Sequence, residues 1–411
     1  MVLPVQGGSS KPFETPNTAL LKVLPMPSMP MPLMIDSHLD LAMNMVYFDR
    51  DITLSLQAMN DAERHMTDVP FRGRATVTLP EMRRTGIALC IATLLARSGP
   101  SHQRPTGYNR ADIDFGTQTA AWCSCHTQLA YYRLLESWGE IRLIRSVQQM
   151  REHWQQWESA EDYRQLPIGV ILSIEGADPL LTPEFAEHFF LEGVRAIGLA
   201  HYGHSHYASG TRVEGPITEK GIELLRRMQD LGIALDVTHL CDESMAQAFD
   251  LFEGQIWASH HNCRSLVNWD RQLTDDQIRQ LVRRDGVIGV AMDAIMLYDG
   301  WIYRETSPEV VDLEAAIDQL DHVCQIAGNT RHIGIGTDLD GGFGTEQTPR
   351  DLKSIADVRT LASRMERRGY TQDDINALFH GNWLRKLEAV LPDHSASEER
   401  PFQVMGHHTS V

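Results

Sequence analysis

The sequence predicts an α/β protein of the (β/α)8 TIM-type barrel class, with enlarged connections after some of its strands. Three observations predict it. Short apolar runs alternate with amphipathic helical stretches along most of the chain. Eight such runs can be counted. They are apolar on both faces, as strands of a parallel sheet covered by helices are. An open doubly wound sheet is the alternative, but no G-x-G-x-x-G follows the first run.

In order, the strand candidates are Pro32–His38, Ile87–Leu95, Ile168–Ile174, Val194–Ala200, Ile233–Thr238, Ile256–Ser259, Val287–Met292 and His332–Thr337. Helix candidates between them include Glu219–Leu231, Ser244–Phe252, Asp275–Arg284 and Asp312–Ile326. Several begin with acidic or hydroxyl residues, which satisfy free N–H groups and suit the helix dipole. The long intervals 41–86 and 96–167 are expected to be enlarged connections near the barrel top. Residues 1–32, rich in Pro, Ser and Met, read as an irregular arm. Residues 33–390 read as the barrel domain, and 391–411 as a tail.

Composition narrows the partners. The apolar fraction of 42% supports a sizeable core, and 22% charged residues suit an ordinary surface. A formal charge of -18 disfavours nucleic acid, whose phosphates call for a basic face. It equally disfavours anionic membranes. No run of about 18 apolar residues, no signal-like N-terminus and no apolar C-terminal anchor signal is present. The six cysteines are widely spread apart from Cys123 and Cys125, so they read as reduced thiols of a cytoplasmic protein.

In such a barrel the active site forms at the C-terminal ends of the strands. The residues that follow each candidate strand are therefore the ones to read. The first ends in DSHLDLA (His38, Asp40), the third in SIEGAD (Glu175) and the fourth in LAHYGHSHY (His201). The fifth ends in DVTHL (His239), the sixth in ASHHN (His260), the seventh in AMDA (Asp293) and the eighth in GTDLDGG (Asp338). Seven of eight strands thus deliver an imidazole or carboxylate to one rim. Burying so many polar groups is costly unless they pair or hold a cation. His38 and Asp40 are two apart on a strand and share a face. Nitrogen and oxygen ligands together suit zinc. His239 and His260 form a second pair, and Glu175 has two oxygens with which to bridge two ions.

Other residues receive plainer readings. His204 and His206 are loop histidines expected to be solvated or hydrogen-bonded, and His407 and His408 lie in the tail. Asp36 shares the face of His38 and is either supporting or structural; Asp340 is expected to be structural. The glycines of GGFG are a weak phosphate-binding signal without a following helix and lysine.

This ordered set resembles the membrane dipeptidase (renal dipeptidase, M19) family of the amidohydrolase superfamily, in particular its soluble bacterial branch. The H-x-D of the first strand, the EG of SIEGAD, DVTH, SHHNCRSL and GTDLDGG match in order, and HGNWLR near the C-terminus is similar to a further family motif. The resemblance covers roughly residues 33–390. It implies two zinc ions per chain, bridged by Glu175 and a water or hydroxide, with His38 and Asp40 on one and His239 and His260 on the other. It implies His201 at the substrate carbonyl, Arg271 of RQLTDD at the substrate carboxylate, and Asp338 as the proton shuttle. Two stretches depart from the family pattern: AHYGHSHY around His201, and Asp293 where animal members carry an aromatic residue. Both lie on the substrate side, and Asp293 is expected to bind substrate.

The expected function is hydrolysis of the peptide bond of a dipeptide-like small molecule by a cytoplasmic enzyme; a homodimer stays open. The alternatives are a related binuclear-zinc hydrolase of N-acyl amino acids, lactams or lactones and, further off, a metal-dependent lyase or isomerase on the same barrel.

Overall fold

Residues 32–99 and 113–393 are described by the structure, a computed structural model. Most of the expected arm, and the tail from residue 394 with His407 and His408, lie outside the described residues.

The apolar runs form parallel strands: β1 (Met34–Leu39), β2 (Ile87–Leu95), β3 (Ile141–Leu143), β4 (Ile168–Glu175), β5 (Val194–Gly198), β6 (Ala234–Asp236), β7 (Ile256–Trp257), β8 (Ile288–Val290) and β9 (Ile333–Ile335). Eight of them follow one another as β1-β2-β4-β5-β6-β7 and β8-β9-β1. The ring closes between β7 and β8 through a single parallel bridge, Ala258–Ile288. Every residue of β2 and β4 is buried, which is why neither strand alternates in sequence.

The helices match their local signals. Glu219–Leu231 starts at Thr218, whose hydroxyl accepts from the Gly221 N–H, and stops at Gly232 in the left-handed region. Asp275–Arg283 begins with a reciprocal capping box between Thr274 and Gln277. Asp242–Leu251 and Glu314–Ala327 fall within two residues of their expected starts.

One expectation needs correcting. The interval 96–167 does not stay near the barrel top. It contains helices Gln118–Ser137 and Val147–Glu158, and between them β3 pairs with the N-terminal half of β4 (Ile141 with Ile168, Leu143 with Val170). Three residues with Arg142 in the middle are too short a pattern to read as a strand.

The barrel is plugged from below by the C-terminal helix Asn382–Glu388. Asn382 Nδ2 donates to the carbonyls of Thr330 and Ile333, and Trp383 Nε1 to that of Ile335. The buried Lys386 ammonium donates to Gln255 Oε1 and the Asp285 carbonyl. These bonds account for the HGNWLR stretch as a structural feature.

Beneath the mouth the interior is filled by small residues. Ser37 Oγ donates to the carbonyls of Ser259 (2.6 Å) and Ile335 (2.9 Å). Gly289 and Gly336 leave room for this crossing. A Cβ on Gly336 would meet the Ser259 carbonyl oxygen at 1.8 Å, and one on Gly289 would meet it at 1.9 Å. Overpacking of this kind typically costs about 1–3 kcal/mol. Gly336→Ala is therefore expected to lower the urea midpoint by at least that equivalent. Ser37→Ala should not rescue it, because the closer clash is with backbone. An unchanged midpoint would refute this account of the floor.

Candidate metal centre

The strand ends set the site. Period 2 along β1 places Asp36, His38 and Asp40 on one face. Asp36 is structural: its Oδ1 accepts from the N–H groups of His38 and Thr337, and its Oδ2 from the Thr337 hydroxyl, stitching β1 to β9. Asp236 does the same between β6 and β7, accepting from the N–H groups of Thr238 and Ser259. Asp340 accepts from Thr76 and Val77 and is likewise structural. His239 and Asp338 follow their strands in the left-handed region, with φ of 70° and 58°. Such backbone is uncommon outside glycine and gathers where function demands it.

His38, Asp40, Glu175, His239 and His260 are all buried and meet around one Glu175 oxygen. Glu175 Oε1 lies 3.1 Å from His239 Nε2, 3.5 Å from His260 Nε2, 3.5 Å from His38 Nε2 and 3.7 Å from His201 Nε2. His38 Nε2 is also 3.9 Å from Asp40 Oδ2 and 3.7 Å from Asp338 Oδ1. The Thr93 hydroxyl donates to the other Asp40 oxygen. His38, Asp40 and Glu175 form one metal-ready group; His38, His260 and Asp338 form another, as do Glu175, His201 and His239.

Hydrogen bonds at the far side of each ring sort these histidines. Ser259 Oγ sits 3.0 Å from His260 Nδ1 and 3.4 Å from His38 Nδ1, and can accept from both while donating to Thr238 Oγ1. Thr211 Oγ1 is 3.0 Å from His239 Nδ1 and donates to the His239 carbonyl, so it too accepts from the ring. These hydroxyls can accept from Nδ1 of all three rings, which leaves each Nε2 facing the centre, the arrangement of a metal-binding histidine. His201 is the reverse. Its Nδ1 lies 3.1 Å from Arg97 Nη1, and a guanidinium only donates. The His201 hydrogen therefore sits on Nε2, facing the centre as a donor. Arg97 is held by a two-point pairing with Asp114.

The cluster has the electrostatics of a cation site. His239 Nε2 and His260 Nε2 are 3.3 Å apart, both turned toward the centre. His38 Nε2 and Glu175 Oε2 are buried without a hydrogen-bond partner. Burial disfavours a charged His38, yet the carboxylates of Glu175, Asp40 and Asp338 lift its pKa to about 10. Burial and the Glu175 charge push Asp40 up to about 6, and burial pushes Asp338 well above the usual carboxylate range. The site thus attracts positive charge and resists holding all its negative charge bare. The residues present fit a metal.

A cavity of about 230 Å³ opens onto this cluster and is lined as well by Tyr202, Trp269, Arg271 and Asp293. Arg271 is buried; its Nη2 donates to the His260 carbonyl and lies 3.4 Å from His239 Nε2. Its Nη1 has no partner. Asp293 is clasped by Gln347 Nε2 at 2.9 and 3.1 Å and caps the Ile295 N–H, while burial raises its pKa to about 7.

Comparison with known proteins now decides the family. Residues 29–399 match the model of the membrane dipeptidase family, peptidase family M19. The chain belongs to the M19 membrane dipeptidase family. Curated relatives include an uncharacterized dipeptidase of Schizosaccharomyces pombe, 26% identical over 54% of this chain and 54% of that one. Another is the dipeptidase verJ of Clonostachys rogersoniana, 25% identical over 56% of this chain and 57% of that one. The chain spans about half the length of these curated relatives. Two solved structures share the fold. One is a Rhodobacter sphaeroides metallopeptidase bound to a phosphinate mimic of L-Ala-D-Ala (TM-score 0.68, 20% identity, 88% of this chain, 100% of that chain). The other is PvdM of Pseudomonas aeruginosa, a probable dipeptidase (TM-score 0.70, 17% identity, 88% and 96%). Among the described residues no helix is long and apolar enough to cross a membrane.

The nine residues singled out in the sequence all line or enclose this M19 mouth. His204 and His206 stay apart from it: His204 is exposed and bonded to Ser209, and the His206 N–H donates to Asp178. Gly341 lines the cavity and lies against Asp338, where a Cβ would come within 2.1 Å of Oδ1. Sequence reading missed Arg97, Thr211, Ser259 and Tyr202. Ser259 alone carried a signal, as the residue before His260 on its strand.

A cluster built this way is stabilised by what it binds. Divalent metal is expected to raise the unfolding temperature and a chelator to lower it. The shift should shrink in Glu175→Gln, which gives up the charge at the centre. Equal unfolding temperatures with metal and with chelator would contradict the cation-site reading.

Proposed function

We propose that the chain is a binuclear zinc dipeptidase, its chemistry carried by the barrel of residues 33–390. The observation that carries this reading is two sets of buried, unpartnered atoms beside one small cavity: His38 Nε2 and Glu175 Oε2 in the cluster, and Nη1 of Arg271 next to it. The first calls for a cation, the second for an anion. A dipeptide offers a carboxylate one residue away from a hydrolysable amide. Family membership and the dipeptide mimic named for the Rhodobacter sphaeroides relative support the substrate class.

His38, Asp40 and Glu175 would hold one zinc, and Glu175, His239 and His260 the other. With their nitrogens 3.3 Å apart, His239 and His260 are close enough for both to serve one ion. Bound there, zinc supplies Lewis acidity for the scissile carbonyl and a water acidic enough to ionise near neutral pH. Arg271 pairs with the terminal carboxylate and sets the register of the substrate. His201, with its hydrogen on Nε2, donates to the oxygen that gains charge as the amide is attacked. Burial and Arg97 keep that ring neutral, its pKa pushed down to about 3. Asp338 takes the water proton and returns it to the leaving amine. Its raised pKa suits a group that holds a proton for part of the cycle. Asp293 faces the substrate beside Arg271. All six cysteines are unpaired, which supports a reducing, cytoplasmic setting.

Asp338→Asn is expected to keep about two zinc ions per chain, by metal analysis, and to lose roughly 10²–10⁴-fold in kcat, since an amide cannot relay the proton. Near-normal kcat would remove Asp338 from that role.

Arg271→Ala should lower kcat/KM for dipeptides, with either L- or D-residues at the C-terminal position, far more than for their C-terminal amides. The amides never used the contact, whereas the free acid loses a charge-assisted hydrogen bond. Equal losses for acid and amide would make Arg271 a support for the cluster and would count against the dipeptidase reading.

A further inference from the structure

The cavity is lined differently on the side away from Arg271. Met43, Phe48, Val69, Phe71, Leu95 and Ile113 form that wall. Four of these residues lie on the connection after β1; Leu95 ends β2, and Ile113 follows it. Arg271 lies on the connection after β7. Around the ring, β8 and β9 separate β7 from β1 on one side, and β6, β5 and β4 separate it from β2 on the other. The apolar wall and Arg271 therefore face each other across the mouth, with Glu175 of β4 reaching in between.

The wall is preorganised. Phe48 and Phe71 meet edge to face at 4.9 Å. Arg72 and Arg50 stack on those two rings, at 5.8 and 5.2 Å. Both guanidinium groups are paired with Glu63, and Arg72 also with Asp68. These residues, with Tyr47 and Leu95, form an apolar cluster separate from the barrel core. This second apolar cluster packs the helix Leu41–Phe48 against the end of β2 and at the same time gives a ligand an apolar surface.

From this geometry we infer that the group on the acyl side of the scissile amide is bulky and apolar. The inference rests on the hydrolase reading above. With the carboxylate on Arg271 and the amide over Glu175, the acyl half of the substrate extends toward the apolar wall. A leucine- or phenylalanine-sized group fills it. Glycine leaves the wall wet, and a charged side chain is desolvated there without a partner. Two kinds of molecule carry the required chemistry: a dipeptide with an apolar N-terminal residue, and an N-acyl amino acid with a branched or aromatic acyl chain.

The test uses the zinc-loaded full-length protein with Leu-Ala, Phe-Ala, Gly-Ala, Glu-Ala and N-(4-methylpentanoyl)-alanine, which is Leu-Ala without its ammonium group. Leu-Ala or Phe-Ala is expected to exceed Gly-Ala and Glu-Ala by about 100-fold in kcat/KM, the scale on which an apolar pocket discriminates. Val69→Asp should compress that ratio at least tenfold. Ile113→Asp repeats the test at a second half-buried position in case the first variant folds poorly. If the 4-methylpentanoyl compound matches Leu-Ala, the apolar acyl group is sufficient; if it is slow, the substrate is the amino acid with an apolar side chain. Gly-Ala or Glu-Ala turned over as fast as Leu-Ala would overturn the inference while leaving the hydrolase reading intact. Calorimetric binding of reduced-amide analogues of Leu-Ala and Gly-Ala separates the opposite case. Tighter binding of the leucine analogue with no turnover of any amide would keep the apolar subsite and sink the hydrolase.

Discussion

One buried carboxylate organises the molecule. Glu175 ends a strand that is buried along its whole length and is met there by four imidazoles. Protons alone serve this cluster poorly. A proton on His260 Nε2 can reach His239 or Glu175 but not both, and the oxygen Oε2 still lacks a partner. Low dielectric makes each unmet interaction expensive. A cation with several coordination positions meets them together. The shape of the mouth, the strained turns at His239 and Asp338 and the hydroxyls behind the rings all follow from that need.

The barrel is weakest in backbone terms where this need is greatest. β7 is two residues long, and a single bridge joins its end to β8. Side chains replace the missing ladder. Ser259 donates its N–H to Asp236, accepts Ser37 at its carbonyl, and presents its hydroxyl to His38, His260 and Thr238. One residue thereby links β1, β6 and β7 and fixes two ring tautomers. The glycines at 289 and 336 exist to let that residue approach. The floor of the site and the closure of the barrel are one construction, so a change in the floor is felt at the metal ligands.

This division explains what the sequence could and could not convey. Strands buried on both faces read as continuous apolar runs, and all eight barrel strands were legible. The histidines and carboxylates that gather at the strand ends were legible because their positions follow from period 2 and from the barrel's polarity. β3 was not, since three residues carry no periodicity. Thr211 and Ser259 are ordinary hydroxyl residues in sequence; only the fold brings them behind His239 and His260. Arg97 lies in an interval with no strand pattern, 104 residues from the histidine it contacts. The apolar wall was hidden for a different reason. Met43 and Phe48 fall in the interval 41–86, expected only as an enlarged connection; in the structure they lie on a short apolar helix whose cluster borders the cavity.

The contrast between Arg97 and the hydroxyls separates chemical roles that composition cannot. His201 and His239 lie at similar distances from Glu175, and their rings are 4.1 Å apart. By proximity alone either could be a ligand. A threonine hydroxyl can accept, so it allows His239 to turn a lone pair inward. A guanidinium cannot accept, so it forces His201 to turn a hydrogen inward. The group behind each ring thus allows a lone pair toward the centre in one place and requires a hydrogen there in the other. A donor held at that position, neutral and beside the cation site, is what the role proposed for His201 at the attacked carbonyl requires. Arg97 in turn owes its own orientation to Asp114. The path from Asp114 through Arg97 to His201 is therefore part of the site, although none of its first two members touches the metal ligands.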